Sequence, residues 1–225
     1  METLTKEQVA VRIARNVAAL FNDTTEAMVI NLGVGIPNMV ANYLDNDLIY
    51  VQGENGMLGV GALAEPGEEL PDLINSGRQP VLETPGCMYF DSAFAFGMIR
   101  GGHVDAAVIG GLEVSRTGDI ANWIVPGAAQ LGVGGAMDLV NGAKRLIISM
   151  RHTDRDGNPK LLDECSLPLT AIGKVNTVVT EYAVFDFDES GPVLVKKAAG
   201  ITDAELRQIT GFDYRETDEV GVMVD

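Results

Sequence analysis

Short apolar segments alternate with helix-like segments along the whole chain, and this alternation limits the fold more than any other feature. The apolar segments have the length of β-strands. They lie at residues 28–32, 48–52, 104–110, 145–150 and 220–224, with a longer one within 177–187. Helical patterns cover residues 1–22, 37–43, 92–100 and 203–210, while prolines and glycines predict irregular structure at 59–80. This mixture favours an α/β fold, with residues 1–225 forming a single domain around a mixed, largely parallel sheet flanked by helices.

Acidic residues dominate the charge balance. Asp and Glu number 32 against 16 Lys and Arg, so the formal net charge is −16. Nucleic acid and anionic membranes require a basic surface, and we therefore expect neither as a partner. No apolar run reaches the ~18 residues that span a bilayer, and the first residues lack a signal-peptide pattern. The sequence predicts a cytoplasmic protein with two reduced thiols.

Patterns for bound cofactors are weak. The two histidines and two cysteines show no metal-ligand spacing, so we expect no metal site. Residues 59–64 match the loose dinucleotide pattern G-x-G-x-x-A, but Glu65, Pro66 and Gly67 would end the required helix at once. We expect no permanently bound cofactor.

Glu54 lies between glycines in the segment Gly53-Glu-Asn-Gly-Met-Leu-Gly59. An Asn-Gly pair after a strand is a hairpin signal, and by that interpretation Glu54 is an ordinary exposed residue. The alternative is a carboxylate held at a strand end, where the glycines allow a substrate to approach and the carboxylate acts as a covalent nucleophile. Local pattern alone favours the hairpin.

Two further glycine-rich segments are candidate binding sites. Residues 131–138 carry Gly134 and Gly135 just before a predicted helix, where backbone N–H groups can hold an anion or an oxyanion. Residues 31–38 form a glycine turn at a strand end, the usual ligand position in open α/β sheets. Each segment could equally be a plain connector.

Five motifs in order carry a family resemblance that none carries alone. They are Asn31-Leu-Gly-Val-Gly-Ile-Pro37, Glu54-Asn-Gly-Met-Leu-Gly59, Met98-Ile-Arg-Gly-Gly-His103, Gly118-Asp-Ile-Ala-Asn-Trp-Ile-Val-Pro-Gly127 and Gly134-Gly-Ala-Met-Asp-Leu-Val140. Together they resemble the beta subunit of family I CoA transferases, a group that includes 3-oxoacid, acetate–acetoacetate, butyrate–acetoacetate and 3-oxoadipate CoA-transferases. The resemblance runs from about residue 5 to about residue 190.

This resemblance implies CoA transfer from an acyl-CoA to a short-chain or 3-oxo acid through a glutamyl-CoA thioester on Glu54. The Ser that usually precedes the nucleophile is Gly53 here. Gly135 is expected to donate to an oxyanion, with Gly134 shaping the turn. The remaining candidates for binding substrate or CoA are Asn31, Gly33, Gly35, Asn55, Gly56 and Arg78.

The resemblance also implies a heteromer with an alpha subunit, α2β2 or α4β4, which would supply a second oxyanion donor and contacts to the CoA phosphates. Coenzyme A would be a substrate, with no metal or redox cofactor. Two alternatives stay open: an acyl-CoA hydrolase of the same fold, and a non-catalytic partner subunit. The acid pair is not specified.

Overall fold

A computed structural model describes residues 4–127 and 132–225. Its helices are α1 (Lys6–Ala18), α2 (Ile36–Met39), α3 (Ser92–Arg100), α4 (Ala136–Gly142) and α5 (Asp203–Ile209), with a 3₁₀ turn at Val40–Tyr43. Its first strands are β1 (Met28–Leu32), β2 (Ile49–Gly53), β3 (Met57–Leu63), β4 (Val81–Tyr89), β5 (Ala106–Gly110), β6 (Glu113–Ser115) and β7 (Ile120–Ala121). The later strands are β8 (Arg145–Ser149), β9 (Leu161–Leu162), β10 (Thr177–Val179), β11 (Ala183–Asp188), β12 (Gly191–Lys197) and β13 (Arg215–Val222).

A ten-stranded sheet runs through the molecule in the order β13-β12-β11-β10-β8-β5-β1-β2-β3-β4. Its five central strands, β10 to β2 in that order, are all parallel. Segments such as β5 and β8 are buried almost throughout, as expected for strands covered on both faces. The predicted α/β fold with a mixed, largely parallel sheet is confirmed.

Helix α1 begins at a capping box in which the Thr5 hydroxyl accepts from the Gln8 amide and the Gln8 side chain accepts from the Thr5 amide. The predicted helix was longer, over residues 1–22, but α1 ends at Ala18; residues 1–3 lie outside the described part of the chain. None of the described helices is both long and apolar enough to cross a bilayer.

The prediction of irregular structure at 59–80 was wrong at its start, because β3 extends to Leu63 and pairs with β4. Glycines that indicate turns in the sequence instead allow close strand packing. A Cβ at Gly59 would lie 2.8 Å from the Thr84 hydroxyl, and one at Gly61 would lie 2.7 Å from the Leu82 carbonyl oxygen. Glycine inside a strand often marks such an approach of a second backbone.

The single long strand predicted within 177–187 is instead the hairpin of β10 and β11. The Thr180 hydroxyl turns the chain by accepting from the backbone N–H groups of Tyr182 and Ala183 at 3.2 and 3.0 Å. Such local side-chain bonds compete with continued strand pairing.

Buried polar groups cluster behind this hairpin around His152. The imidazole is fully buried, with Nδ1 2.9 Å from the Thr180 hydroxyl and Nε2 2.9 Å from the Thr210 hydroxyl. Desolvation, followed by the positive charge of Lys160, lowers the pKa of His152 to about 3. Glu181 accepts from the His152 backbone N–H, and burial raises the pKa of that carboxyl group.

We expect the His152 cluster to make folding pH-dependent. Because the folded-state pKa lies below the ordinary 6.5, the unfolded chain binds more protons between pH 6.5 and about 3, and the free energy of unfolding falls as pH falls through that window. The slope from one such proton is at most roughly 1.4 kcal/mol per pH unit. Glu181 acts in the opposite direction, since its raised pKa lowers stability as pH rises.

Chemical unfolding of wild type and His152→Gln at pH 7 and pH 5 separates these effects, because the Glu181 contribution is common to both proteins. The variant should be less stable at pH 7 and lose less stability on going to pH 5. The difference in unfolding free energy between the two proteins should therefore be smaller at pH 5 than at pH 7. An equal loss of stability in both proteins between pH 7 and pH 5 would show that His152 does not cause the pH dependence.

Candidate active site

Glu54 lies at the tip of the hairpin that joins β2 to β3. The Gly56 N–H donates to the Gly53 carbonyl at 3.0 Å, and the Phe90 N–H donates to the Gly56 carbonyl at 2.9 Å. The φ angle of Gly56 is +116°, a conformation that favours glycine. The hairpin interpretation is therefore structurally right, and the same turn also holds Glu54 at the carboxyl end of a parallel strand.

A cavity of about 650 Å³ opens in front of Glu54. Its wall combines the ends of three parallel strands with the start of α4. The lining includes Gly33 and Val34 after β1, Glu54 after β2, Gly110 at the end of β5 with Gly111 after it, and residues 134–136. This is the usual ligand position in open α/β sheets. Among the described residues lining the cavity, Glu54 is the only ionisable one.

Asn31, on β1, holds one oxygen of Glu54. Its Nδ2 lies 3.0 Å from Glu54 Oε2, and the Asn31 side chain is fully buried. The same nitrogen lies 2.8 Å from Gln52 Oε1 and 3.0 Å from the Gln52 carbonyl oxygen. Residues 31 and 52 face each other in the parallel register of β1 and β2, so this pairing follows directly from the sheet.

The other oxygen of Glu54 faces Gly135, the residue just before α4. A Cβ at position 135 would lie 3.6 Å from Glu54 Oε1 and 3.3 Å from the Phe96 ring. Gly134 has a φ of +57°, and the turn it makes brings the Gly135 backbone close to Glu54 and Phe96. The absence of side chains here leaves space in front of Oε1. Leu131, at the start of this predicted segment, lies outside the described residues.

Two of the remaining candidates line the cavity with Glu54. Gly33 donates its N–H to the Val108 carbonyl at 2.9 Å, which ties the β1 turn to β5. Asn55 is exposed at the cavity edge and donates from Nδ2 to the Ile74 carbonyl at 2.9 Å.

Three candidates stand away from the lining. Gly35, with φ of +91°, starts α2. Gly56 is buried, and both of its backbone polar groups are used within the protein, so its role here is to form the turn. Arg78 is exposed in a turn where its N–H donates to the Asn75 carbonyl at 2.9 Å, with φ of +61°.

Sequence reasoning missed two polar residues at this site. Ser76 lines the cavity, and its hydroxyl donates to the Leu32 carbonyl at 3.1 Å. Gln52 is 1% exposed and bonds Asn31 directly. A long polar side chain inside the apolar strand β2 was the signal for Gln52, whereas Ser76 lies in a loop without a recognisable pattern.

Among the described residues, no group of three or more His, Cys, Asp and Glu side chains could hold a metal ion. Both cysteines are free thiols. Cys165 is half-buried, and desolvation raises its pKa to about 12, which disfavours the reactive thiolate.

Comparison with known proteins gives consistent results. Residues 12–206 match the family model described as coenzyme A transferase. One subunit of the probable succinyl-CoA:3-ketoacid coenzyme A transferase of Bacillus subtilis is 44% identical over 207 residues, covering 92% of this chain and 96% of that protein. The beta subunit of the acetate CoA-transferase of Escherichia coli K12 is 47% identical over 200 residues, covering 88% of this chain and 90% of that protein.

Solved structures share the fold at low sequence identity. An acyl-CoA transferase of Escherichia coli O157:H7 superposes with a TM-score of 0.74 at 20% identity, over all of this chain, which spans 45% of that longer protein. A variant of the decarboxylase AibA/AibB superposes with a TM-score of 0.70 at 20% identity, over 94% of this chain and 89% of that one. A fold that is also found in a decarboxylase does not by itself determine the reaction.

Proposed function

Because the chain belongs to the coenzyme A transferase family, we propose that it is the catalytic beta subunit of a heteromeric CoA transferase with Glu54 as its covalent nucleophile. The observation that carries this proposal is the setting of Glu54. It is the only ionisable group among the described residues that line the cavity, with Oε2 held by Asn31 and Oε1 facing the open side at Gly135.

The reaction starts with attack of Glu54 Oε1 on the thioester carbonyl carbon of an acyl-CoA. The C–S bond breaks, giving an acyl–glutamyl anhydride and CoA thiolate. The thiolate attacks the glutamyl carbonyl carbon and releases the first acid as its carboxylate, leaving a glutamyl-CoA thioester. A second carboxylate attacks this thioester and releases the thiolate, which then attacks the new acyl group and restores the Glu54 carboxylate.

The two oxygens of Glu54 have different tasks in this sequence. Oε1 forms the bond to the acyl group, and Oε2 becomes the carbonyl oxygen of the glutamyl thioester. Negative charge develops on Oε2 whenever sulfur or carboxylate adds to the glutamyl carbon. The 3.0 Å bond from Asn31 Nδ2 is already directed at that oxygen, and a preorganised donor of this kind contributes about 3–4 kcal/mol. The Gly135 N–H is the proposed donor to the substrate oxyanion.

A partner subunit follows from the charge of the cavity. The described lining residues include no Lys or Arg, and CoA is an anion, so the alpha subunit would provide the cations for its phosphates. Large apolar side chains are exposed in the elements around the site, with Val34, Phe94 and Met137 at 64%, 60% and 52% exposure. An alpha subunit that closes the cavity would cover these side chains. A heteromer of the α2β2 or α4β4 type remains the prediction.

Asn31→Ala should slow glutamyl-thioester formation on the order of 100-fold, the loss expected for one oxyanion donor, with little change in acyl-CoA affinity. Single-turnover kinetics with acetyl-CoA or succinyl-CoA measure both quantities on the co-purified pair of subunits. Asn16→Ala is the matched control, because Asn16 is also a buried amide (2% exposed) but bonds Arg12 and Val224 instead of Glu54. Equal rates for Asn31→Ala and the control would remove Asn31 from the mechanism.

The proposed activity is tested by following acyl-CoA loss with and without an acceptor acid such as acetoacetate or acetate. Transfer requires the acceptor and yields its CoA ester in equal amount. In the co-purified pair of subunits, equal loss without acceptor would mean that the protein is a hydrolase. Transfer that persists at the wild-type rate in Glu54→Gln would mean that this chain is a non-catalytic subunit.

A further inference from the structure

Gln52 is a buried polar residue on β2 that does not line the cavity. Its side-chain amide is bonded at both ends. Nε2 donates to the Ala95 carbonyl of α3 at 3.3 Å, and Oε1 accepts from Asn31 Nδ2 at 2.8 Å. Asn31 in turn donates to Glu54. The three side chains therefore form one line from the backbone of α3 to the nucleophile.

The direction of each amide in this line is set by the one before it. A carbonyl oxygen can only accept, so Ala95 requires the Nε2 end of Gln52. Oε1 of Gln52 must then face Asn31, which requires the Nδ2 end of Asn31. Asn31 Oδ1 has no hydrogen-bond partner within the described residues, so that end does not fix the orientation. The acceptors that fix it are the Glu54 carboxylate and two oxygens of Gln52, the side-chain Oε1 at 2.8 Å and the backbone carbonyl at 3.0 Å from Asn31 Nδ2. Of these, Oε1 has the shortest distance and is the one that a substitution of Gln52 removes.

We propose that Gln52 is a positioning residue for Glu54, acting through the amide of Asn31. The proposal rests on the proposed function of Glu54. If Asn31 rotated, its Oδ1 would face the carboxylate, and two acceptors would repel each other where a donor is needed. Gln52 thus keeps a donor on Oε2 and leaves Oε1 free to attack, without touching substrate.

Two variants of Gln52 test this role. Gln52→Met keeps a similar volume but has neither hydrogen bond, so the rate of glutamyl-thioester formation should fall between about 10-fold and 100-fold, as for other small misplacements of reacting groups. The change should appear in kcat more than in KM. Gln52→Glu keeps the shape, and only its protonated form can donate to Ala95. The activity of Gln52→Glu relative to wild type should therefore fall as pH rises. Glu54 is the charged group that faces the new carboxyl group across Asn31.

A double-mutant cycle separates positioning from general destabilisation. If Gln52 acts through Asn31, Gln52→Met should have little further effect once Asn31 is alanine, because coupled residues are not additive. Asn16→Leu is the control for loss of a buried amide elsewhere, and it should leave the rate unchanged while lowering the unfolding temperature.

The assay is formation of the Glu54 adduct with acetyl-CoA or succinyl-CoA in the co-purified complex. A wild-type rate in Gln52→Met, or rate losses that are additive in the double-mutant cycle, would overturn the positioning role of Gln52 and leave the proposed function of Glu54 unaffected. Absence of any adduct in wild type would instead overturn the function of Glu54. If Gln52→Met does not fold, the pH dependence of Gln52→Glu decides, and a profile parallel to wild type contradicts the proposal.

Discussion

Glu54→Gln should abolish CoA transfer while leaving the protein folded. Removal of a covalent nucleophile lowers kcat by roughly 10⁴-fold to 10⁶-fold in other enzymes, and we expect a loss of at least about 10⁴-fold here. The amide keeps the shape of the side chain. Its oxygen can still accept from Asn31 Nδ2, which lies 3.0 Å from Glu54 Oε2 in the wild-type protein. Stability and assembly should therefore be unchanged. Initial rates of acceptor-dependent transfer on the co-purified complex measure the loss.

Glu54→Asp is the companion variant. It keeps the charge but withdraws the attacking oxygen by over ~1 Å, and such misplacement can cost about 100-fold. The expected order of activity is wild type, then Glu54→Asp, then Glu54→Gln. Intact-mass analysis of Glu54→Gln excludes recovery by deamidation. Full activity in that variant, with the amide intact, would show that another group carries the reaction.

Gly56→Ala should destabilise the protein by about 2–5 kcal/mol. A side chain at φ of +116° is strained, by roughly 1–2 kcal/mol. The new Cβ would also lie 1.9 Å from the Phe90 carbonyl oxygen. That oxygen belongs to the backbone between β4 and α3, so relief requires the hairpin to move, and such overpacking costs about 1–3 kcal/mol. Thermal unfolding should show a drop of roughly 4–20 °C.

Gly67→Ala isolates the backbone contribution. Gly67 also has a positive φ, of +97°, but no atom lies within 4 Å of its added Cβ. It should lose only about 1–2 kcal/mol. Equal losses for the two variants would contradict the assigned contact with Phe90, whereas a much larger loss at Gly56 supports it. Because the same turn carries Glu54, Gly56→Ala should also reduce transfer.

The position of the site could largely be predicted from the sequence, because parallel strands bring their carboxyl ends to one edge. Residues 31 and 54 are distant in the chain, yet β1 and β2 are neighbours, and a glycine turn follows β1. Local pattern favoured the interpretation of Glu54 as an ordinary hairpin residue. The family resemblance favoured its interpretation as a nucleophile. The structure shows that the two interpretations are compatible.

Other features depend on tertiary packing that no local pattern records. The end of strand β3 was missed because Pro66, Gly67, Pro71 and Gly77 predicted irregular structure from residue 59 onward. Gly59 and Gly61 instead serve the close approach of β4. The bond between Gln52 and Asn31 depends on strand order and register, which periodicity does not specify. Gly56 shows the reverse case. It was expected to bind substrate, but its N–H and carbonyl both form backbone hydrogen bonds within the protein.

The most direct test of the central claim is the mass of the peptide that carries Glu54 after the complex is incubated with acyl-CoA and treated with borohydride. Borohydride reduces a glutamyl thioester to an alcohol and leaves a free carboxylate unchanged. The proposed mechanism predicts that Glu54, and no other residue, is reduced, only when acyl-CoA is present. An unmodified Glu54 peptide from complex that turns over acyl-CoA, or reduction at another carboxylate, would contradict it.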